Sequence, residues 1–134
     1  MGRAPRGIRN NDPGNIRHGA DWKGLAEDQL DEDFCTFVDP QHGVRAMGRT
    51  LLTYERKHGL NTVEGIVNRW APPVENDTDS YVEHVAQRVG VGVDEVIRVA
   101  DHLEDLVAVI IVHENGVNPY DPEVIMEGCQ LARV

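Results

Sequence analysis

The sequence predicts a single, mainly helical α+β domain over residues 1–134, with one small β-hairpin near its N-terminal end. The first observation is a period of roughly 3.6 residues between apolar positions, which begins near residue 42 and continues to the end of the chain. The second is a short β-prone run at residues 34–38 (FCTFV) that follows an acidic, turn-rich segment. The third is the length, which suffices for one core and contains no linker.

The first 40 residues predict little regular structure. Residues 1–20 are rich in Gly, Asn, Pro and Arg, and residues 10–15 (NNDPGN) form a dense turn signal. These features predict an irregular segment. Residues 21–38 then predict the hairpin, with the acidic segment as its turn.

Three helices are predicted in the middle of the chain, each bounded by end signals. The first carries an apolar stripe and ends at Gly59. The second is short and takes Asn61 as its N-cap. The third is capped by Asp77 or Thr78 and ends at Gly90.

Three further helices are predicted toward the C-terminal end. A short one follows Asp94, and the most apolar one of all ends in residues 108–116 (AVIIVHENG). The last begins at Asp121 and Pro122, because proline is favoured in the first turn of a helix.

The composition argues against several classes of function. A net charge of −10 disfavours binding to nucleic acid or to an anionic membrane surface. No apolar run approaches the roughly 20 residues of a membrane span, so no membrane insertion is expected. The basic N-terminal segment lacks the apolar run of a secretory signal peptide, so none is expected. The two cysteines, Cys35 and Cys129, are expected to be buried thiols.

Glu114 is the first candidate for chemistry, because it ends the most apolar predicted helix. Desolvation and the negative end of the helix dipole both disfavour its charged form and raise its pKa. A raised pKa is what a general acid working near neutral pH requires. The alternative is an ordinary exposed glutamate at a helix end, with Gly116 as the C-cap.

The sequence predicts neither a metal site nor a cofactor. His113 and Glu114 begin a zinc-protease pattern, but Val117 stands where its second histidine is required. The remaining histidines show no ligand spacing, and no phosphate-binding glycine loop occurs.

The amides of the turn-rich segment are the second candidate site. Asn10, Asn11 and Asn15 offer fixed donors and acceptors suited to the N-acetyl and hydroxyl groups of a sugar, or they form a plain turn. Trp22 either stacks on a sugar ring or covers the core. Taken alone, residues 75–78 (ENDT) are a capped helix start.

Together these segments resemble the lysozyme-like peptidoglycan hydrolases of phages and prophages. The resemblance rests on RGIRNNDPGNIR, Trp22-x-Gly24, DEDFCTF, GVRAMGRTLLTY and GLNTVEGIVNRWAPPVENDTDSYVEHV, in that order over about 120 residues. The same order of motifs is typical of bacterial glucosaminidase and lytic-transglycosylase domains. The resemblance implies a lysozyme-like helical fold.

One departure from that family suggests a circular permutation. In the family the catalytic glutamate lies on a helix just before the Asn-Asn turn, whereas only nine residues precede Asn10 here and none is a glutamate. The expected helix and its Glu-Asn-Gly ending occur instead at residues 106–116. We therefore predict a circularly permuted domain with Glu114 as the acid, since the ends of compact domains often lie close together.

The resemblance implies cleavage of the β-1,4 glycan bonds of peptidoglycan by a muramidase or a lytic transglycosylase. Protonated Glu114 then serves as the general acid. A muramidase needs a second carboxylate or a held water, for which Asp31 and Asp33 are the first choices, followed by Glu27 and Glu75. The resemblance also places Tyr81, Asn76 and Thr78 near the scissile bond; the alternative for Tyr81 is core packing.

The expected partners are peptidoglycan glycan strands and, for a virion-associated lysin, other virion proteins. An endolysin reaches the wall from the host cytoplasm through a holin, whereas a virion-associated lysin is carried in the particle. The alternative function is a non-catalytic phage structural or peptidoglycan-binding module on the same fold. The acidic net charge favours that alternative, because wall-lytic enzymes gain from positive charge on an anionic polymer.

Overall fold

The computed structural model describes residues 3–74 and 76–134 and is predominantly helical, as predicted. Its elements in chain order are α1 Arg6–Arg9, α2 Pro40–His58, α3 Val63–Trp70, α4 Thr78–Val89, α5 Leu103–Asn115 and α6 Pro122–Arg133, with a 3₁₀ helix Val99–His102 immediately before α5. Within these described residues, no helix has the length and apolarity needed to cross a membrane.

Helix α5 runs through the main hydrophobic core. Its buried side chains point in all directions and are Leu103, Leu106, Val107, Val109, Ile110 and Ile111. Helices α1, α2, α4 and α6 all pack against it. A helix that is apolar on every side is expected in the interior of a bundle. This packing fixes the position of its C-terminal end, which carries Glu114.

Helices α2 and α6 make the most extensive helix pair. A Cβ atom at Gly128 of α6 would lie only 2.5 Å from the Cβ of Val44 in α2, so the two backbones approach closely because that glycine has no side chain. Helix α2 begins at the N-cap Asp39, whose carboxylate accepts from the amide of His42, and it ends at Gly59 in the left-handed region.

The predicted hairpin within residues 21–38 is present only as a short antiparallel contact, in which the amide of Ala26 donates to the carbonyl of Thr36 and that of Val38 donates to the carbonyl of Gly24. In the described residues the extended segments form only isolated antiparallel bridges: Arg17 with Phe34 and Leu25 with Phe37. The amide of Cys35 donates to the carbonyl of Ile16, and that of Phe37 donates to the carbonyl of Asn10, each at 2.9 Å. The β-prone run therefore bonds partly to the turn-rich segment before it, which ties the two parts together.

The short helix predicted after Asp94 begins later than expected, as the 3₁₀ helix Val99–His102. Residues 93 and 94 form a turn, and residues 95–98 between that turn and the 3₁₀ helix have no regular secondary structure. The amide of Ile97 donates to the carbonyl of Asn61, and that of Glu64 donates to the carbonyl of Val93. Because these backbone groups bond to the start of α3, they are not available for helical bonds.

Smaller differences concern helix starts. Residues 1–20 were expected to be irregular, but the four-residue helix α1 lies within them. The N-cap of α3 is Thr62, whose hydroxyl accepts from the amide of Gly65 at 3.1 Å, rather than Asn61. Asp77, one of the two predicted caps of α4, accepts from the amide of Ser80.

Candidate active site

The turn-rich segment near the head of the chain lies against the C-terminal end of α5. The side-chain amide of Asn115 donates to the carbonyl of Pro13 at 2.8 Å. The side-chain amide of Asn15 donates to Oε1 of Glu114 at 3.3 Å. These bonds join residues about a hundred positions apart in the sequence, so the fold places the predicted acid beside the predicted amide-rich loop.

The shape of this loop follows from its residue types. Asn11 and Asn15 both have positive φ angles, of 53° and 51°, which asparagine tolerates better than most residues. A carboxylate oxygen of the buried Asp12 accepts from the amide of Ile16 at 2.9 Å and closes the turn. Gly43 of α2 lets the loop approach, since a Cβ there would lie 2.0 Å from the carbonyl oxygen of Asn11. The loop is thus rigid and presents Asn15.

Glu114 lines a cleft of about 480 Å³. The other lining residues come from three parts of the chain: residues 14–17 with Phe34, residues 70–72 with Asn76, and Thr50 and Tyr54 of α2. The volume falls within the range of ligand sites, roughly 300–1,000 Å³. The cleft can therefore accept a sugar-sized group next to Glu114.

Burial raises the pKa of Glu114. Three neighbouring donors, Asn15, Trp70 and Tyr81, oppose this effect by stabilising the ionised form, but desolvation prevails. Of these donors, Asn15 makes a well-aligned hydrogen bond. The site thus contains a half-buried carboxyl whose proton is retained above the ordinary pH range of a glutamate, which suits a proton donor.

Tyr81 of α4 lies behind Glu114. Its ring is buried and stacks on the imidazole of His113, with 4.0 Å between the ring centroids. Burial and the nearby Glu114 raise the pKa of Tyr81, which keeps its hydroxyl protonated. Within the described residues that hydroxyl has no well-aligned partner, so it is available to donate to Glu114. Tyr81 does not itself line the cleft, so its position agrees with the core-packing alternative, and it reaches the cleft only through Glu114.

The predicted second carboxylates do not line the cleft. Arg6 donates to both oxygens of Asp31, at 2.5 and 2.6 Å, and to Asp33 at 2.9 Å. The Arg6 guanidinium holds the pKa of Asp31 well below its usual range, so this carboxylate is ionised. Its negative charge is already paired with the positive charge of Arg6. The structure thus contradicts the expected position of Asp31 and Asp33. Glu27 is exposed and also does not line the cleft, and Glu75 lies outside the described residues.

Most of the other residues predicted to bind substrate instead make contacts that hold the fold together. Asn10 is buried and donates to Asp31, and Asn11 donates to the carbonyl of Phe37. Trp22 packs on a small cluster of Cys35, Phe37 and Ala46, as its core-covering alternative requires. The hydroxyl of buried Thr78 donates to the carbonyl of Ala71 at 2.7 Å. None of these four residues lines the cleft, whereas Asn15 and Asn76 do.

Sequence reasoning missed the contribution of Trp70, Arg17 and Asp12. The sequence singles out no role for Trp70, yet this residue lines the cleft beside Gly14. Arg17 belonged to a basic segment in which no single arginine stood out. Asp12 looked like a turn residue, but it is fully buried, and burial raises its pKa to about 7. The only signal for Asp12 is its place inside a turn that must fold onto an apolar helix.

Asp12 predicts a measurable dependence of stability on pH. Its pKa is about 7 in the folded protein against about 4 in the unfolded chain, so between these values the folded state binds more protons and stability falls as pH rises. The isosteric Asp12→Asn variant is expected to lose less stability than the wild type between pH 4 and pH 7. Urea unfolding at several pH values measures this. Asp31→Asn, whose parent carboxylate has a lowered pKa, should instead be less stable than the wild type at neutral pH.

Comparison with known proteins gives one informative relative and no matching family model. The chain is 42% identical over 129 residues to protein P5 of Pseudoalteromonas phage PM2, an alignment that covers 93% of this chain and 80% of that protein. This relationship supports a bacteriophage origin, in agreement with the expectation from the sequence. The chain therefore belongs to the same family as protein P5 of Pseudoalteromonas phage PM2.

Proposed function

We propose that this protein is a phage glycosidase that cleaves the β-1,4 bonds of peptidoglycan with Glu114 as its general acid. The observation that carries the proposal is the position of Glu114: a half-buried carboxyl with a raised pKa that lines a sugar-sized cleft beside the amide of Asn15. The sequence resemblance to lysozyme-like hydrolases independently suggests the same residue. A circularly permuted lysozyme-like fold remains part of the proposal.

The first chemical step follows from this arrangement. Protonated Glu114 donates its proton to the glycosidic oxygen as the bond to the sugar breaks and positive charge develops on the ring. The Glu114 carboxylate that remains is stabilised by the amide of Asn15, with which it already forms a hydrogen bond. The Tyr81 hydroxyl also lies close enough to favour the ionised form.

The second step is better supported as an internal transfer than as hydrolysis assisted by a second carboxylate. Among the described residues that line the cleft, Glu114 is the sole carboxylic acid. In a lytic transglycosylase one glutamate suffices: a hydroxyl of the substrate attacks the anomeric carbon and gives its proton to the Glu114 carboxylate. This step restores the acid and leaves an anhydro sugar.

Mass spectrometry of digested peptidoglycan tests the proposal. Purified cell walls incubated with the protein should release soluble muropeptides, and the proposed second step predicts anhydro ends rather than reducing ends. Reducing ends would contradict the internal transfer but retain the glycosidase. The absence of any soluble fragment under conditions in which the protein is folded would contradict the glycosidase itself.

The Tyr81→Phe variant is expected to shift the pH dependence of activity. The hydroxyl favours ionised Glu114, so its removal should raise the pKa of Glu114 further and keep the acid protonated to higher pH. The alkaline limb of the pH–rate profile should therefore move to higher pH. The phenyl ring of the variant can remain stacked on His113. Tyr120→Phe is a suitable control, because Tyr120 also has a buried hydroxyl but does not act on the pKa of Glu114. A shift of the alkaline limb to lower pH in Tyr81→Phe would contradict the role assigned to this hydroxyl.

The second candidate is a non-catalytic virion component that binds peptidoglycan through the same cleft. The net charge of −10 favours it, since a free lytic enzyme with this charge is repelled by an anionic wall. Kinship with a phage protein is compatible with a location in the particle or in the infected host. Sedimentation with purified walls without release of soluble fragments would favour this candidate over the glycosidase.

A further inference from the structure

Arg17 has an unusual position in the cleft. Among the described residues lining the cleft, it is the only charged side chain other than Glu114. Its guanidinium lies over the ring of Phe34, with 5.0 Å between Cζ and the ring centroid. A cation–π contact holds a guanidinium by its face and leaves its N–H donors free. Arg17 is thus positioned at the wall without using those donors.

Arg17 differs from Arg6, the other arginine that contacts Phe34, in its ion pairing. Arg6 contacts the same Phe34 ring, at 4.6 Å, but it also donates hydrogen bonds to Asp31 and Asp33. Within residues 3–74 and 76–134, the Arg17 guanidinium forms no ion pair. One arginine on this ring is therefore neutralised, and the other presents its charge to the cleft.

The charge of the whole protein gives Arg17 a specific consequence. The net charge is −10, and Glu114 is uncharged when it carries the proton that it donates. Among the described residues, the lining of the cleft then holds a single positive charge in a negatively charged protein. Arg17 is therefore the positive group with which an anionic ligand in the cleft can pair.

We propose that Arg17 forms an anion subsite that binds a carboxylate of the peptidoglycan strand, an inference that rests on the proposed function. A guanidinium binds a carboxylate through two parallel hydrogen bonds, which fixes the orientation of the bound group. Peptidoglycan carries carboxylates on its peptide stems and, where the stem is absent, on the lactyl group of muramic acid. Neutral glycans carry neither, so Arg17 makes the cleft selective for an acidic glycan.

Binding measurements in the Glu114→Gln background test this subsite without turnover. The probes are a stem-bearing muropeptide, the same muropeptide with its carboxylates converted to methyl esters, and a peptide-free glycan fragment with free lactyl groups. Fluorescence of Trp70 reports binding, since this residue lines the cleft, and calorimetry confirms it. Arg17→Gln is added to the background, with Arg56→Gln as control, because Arg56 is exposed and lies outside the cleft.

The expected result is that Arg17→Gln weakens binding of the stem-bearing muropeptide about tenfold, as for one charge-assisted pair near the surface. Binding of the ester should not respond to Arg17→Gln, and Arg56→Gln should change neither. A loss restricted to the stem-bearing probe assigns the carboxylate to the peptide; an equal loss with the peptide-free fragment shows that the subsite also accepts the lactyl carboxylate.

Equal binding of acid and ester, or binding unaffected by Arg17→Gln, would overturn the subsite. So would failure of the folded protein to bind any of the three probes. The proposed function fails separately: carboxylate-selective binding without cleavage by the wild type keeps the subsite and removes the glycosidase. Cleavage by the wild type without carboxylate-selective binding keeps the glycosidase and removes the subsite.

Discussion

The Glu114→Gln variant is expected to release soluble muropeptides at least about 100-fold more slowly than the wild type, because removal of a general acid typically costs 10²- to 10⁴-fold in rate. Glutamine keeps the size of the side chain and can still accept from Asn15, so the fold should persist. Release from purified walls, quantified by chromatography, measures the effect. Glu123→Gln, an exposed change in α6, is the matched control and should retain full activity.

The stability of the same variant supplies an independent check. The pKa of Glu114 is raised in the folded protein, so above its unfolded value near 4.5 the ionised form destabilises the native state. A neutral glutamine removes this effect. Glu114→Gln should therefore be at least as stable as the wild type at pH 8 while it is inactive. Retained activity would contradict the catalytic role, and a loss of stability at pH 8 would contradict the electrostatic explanation.

The Gly43→Ala variant is expected to lose both stability and activity. An alanine Cβ at this position would lie 2.0 Å from the carbonyl oxygen of Asn11, which is backbone and cannot move alone. Overpacking of this kind typically costs about 1–3 kcal/mol of unfolding free energy. Relief of the clash moves the loop away from α2 and shifts Asn15 relative to Glu114, so muropeptide release should fall as well.

Gly92→Ala is the control for this effect. A Cβ at Gly92 meets its nearest atom at 3.6 Å, an ordinary van der Waals contact, and Gly92 lies in a turn far along the chain from the loop. Urea unfolding and muropeptide release should both remain close to the wild-type values for Gly92→Ala. Unchanged stability of Gly43→Ala would show that the loop does not depend on this close approach.

The sequence predicted the long helices because their signals are local. The apolar stripe of α2 and the left-handed Gly59 at its end both lie within a few residues of what they specify. The position of Glu114 at the end of α5 was predictable for the same reason. Periodicity and caps therefore gave the correct identity of the main helices.

The parts that were missed depend on distant partners. The run at residues 34–38 makes part of the expected local pairing, but the amide of Phe37 donates to the carbonyl of the distant Asn10. Asp31 had the right residue type for catalysis, but Arg6, 25 positions away, neutralises it. Arg17 and Trp70 become cleft residues only because two separate segments meet there. No local pattern encodes such pairings.

The bond between Asn15 and Glu114 joins residues 99 positions apart. During translation, the ribosome must therefore make all the residues from 15 to 114 before both halves of the cleft exist, and closing so long a loop is slow. A nascent or prematurely terminated polypeptide that ends before α5 has no assembled site. The cleft can therefore assemble only after α5, which forms much of the supporting core, has been synthesised.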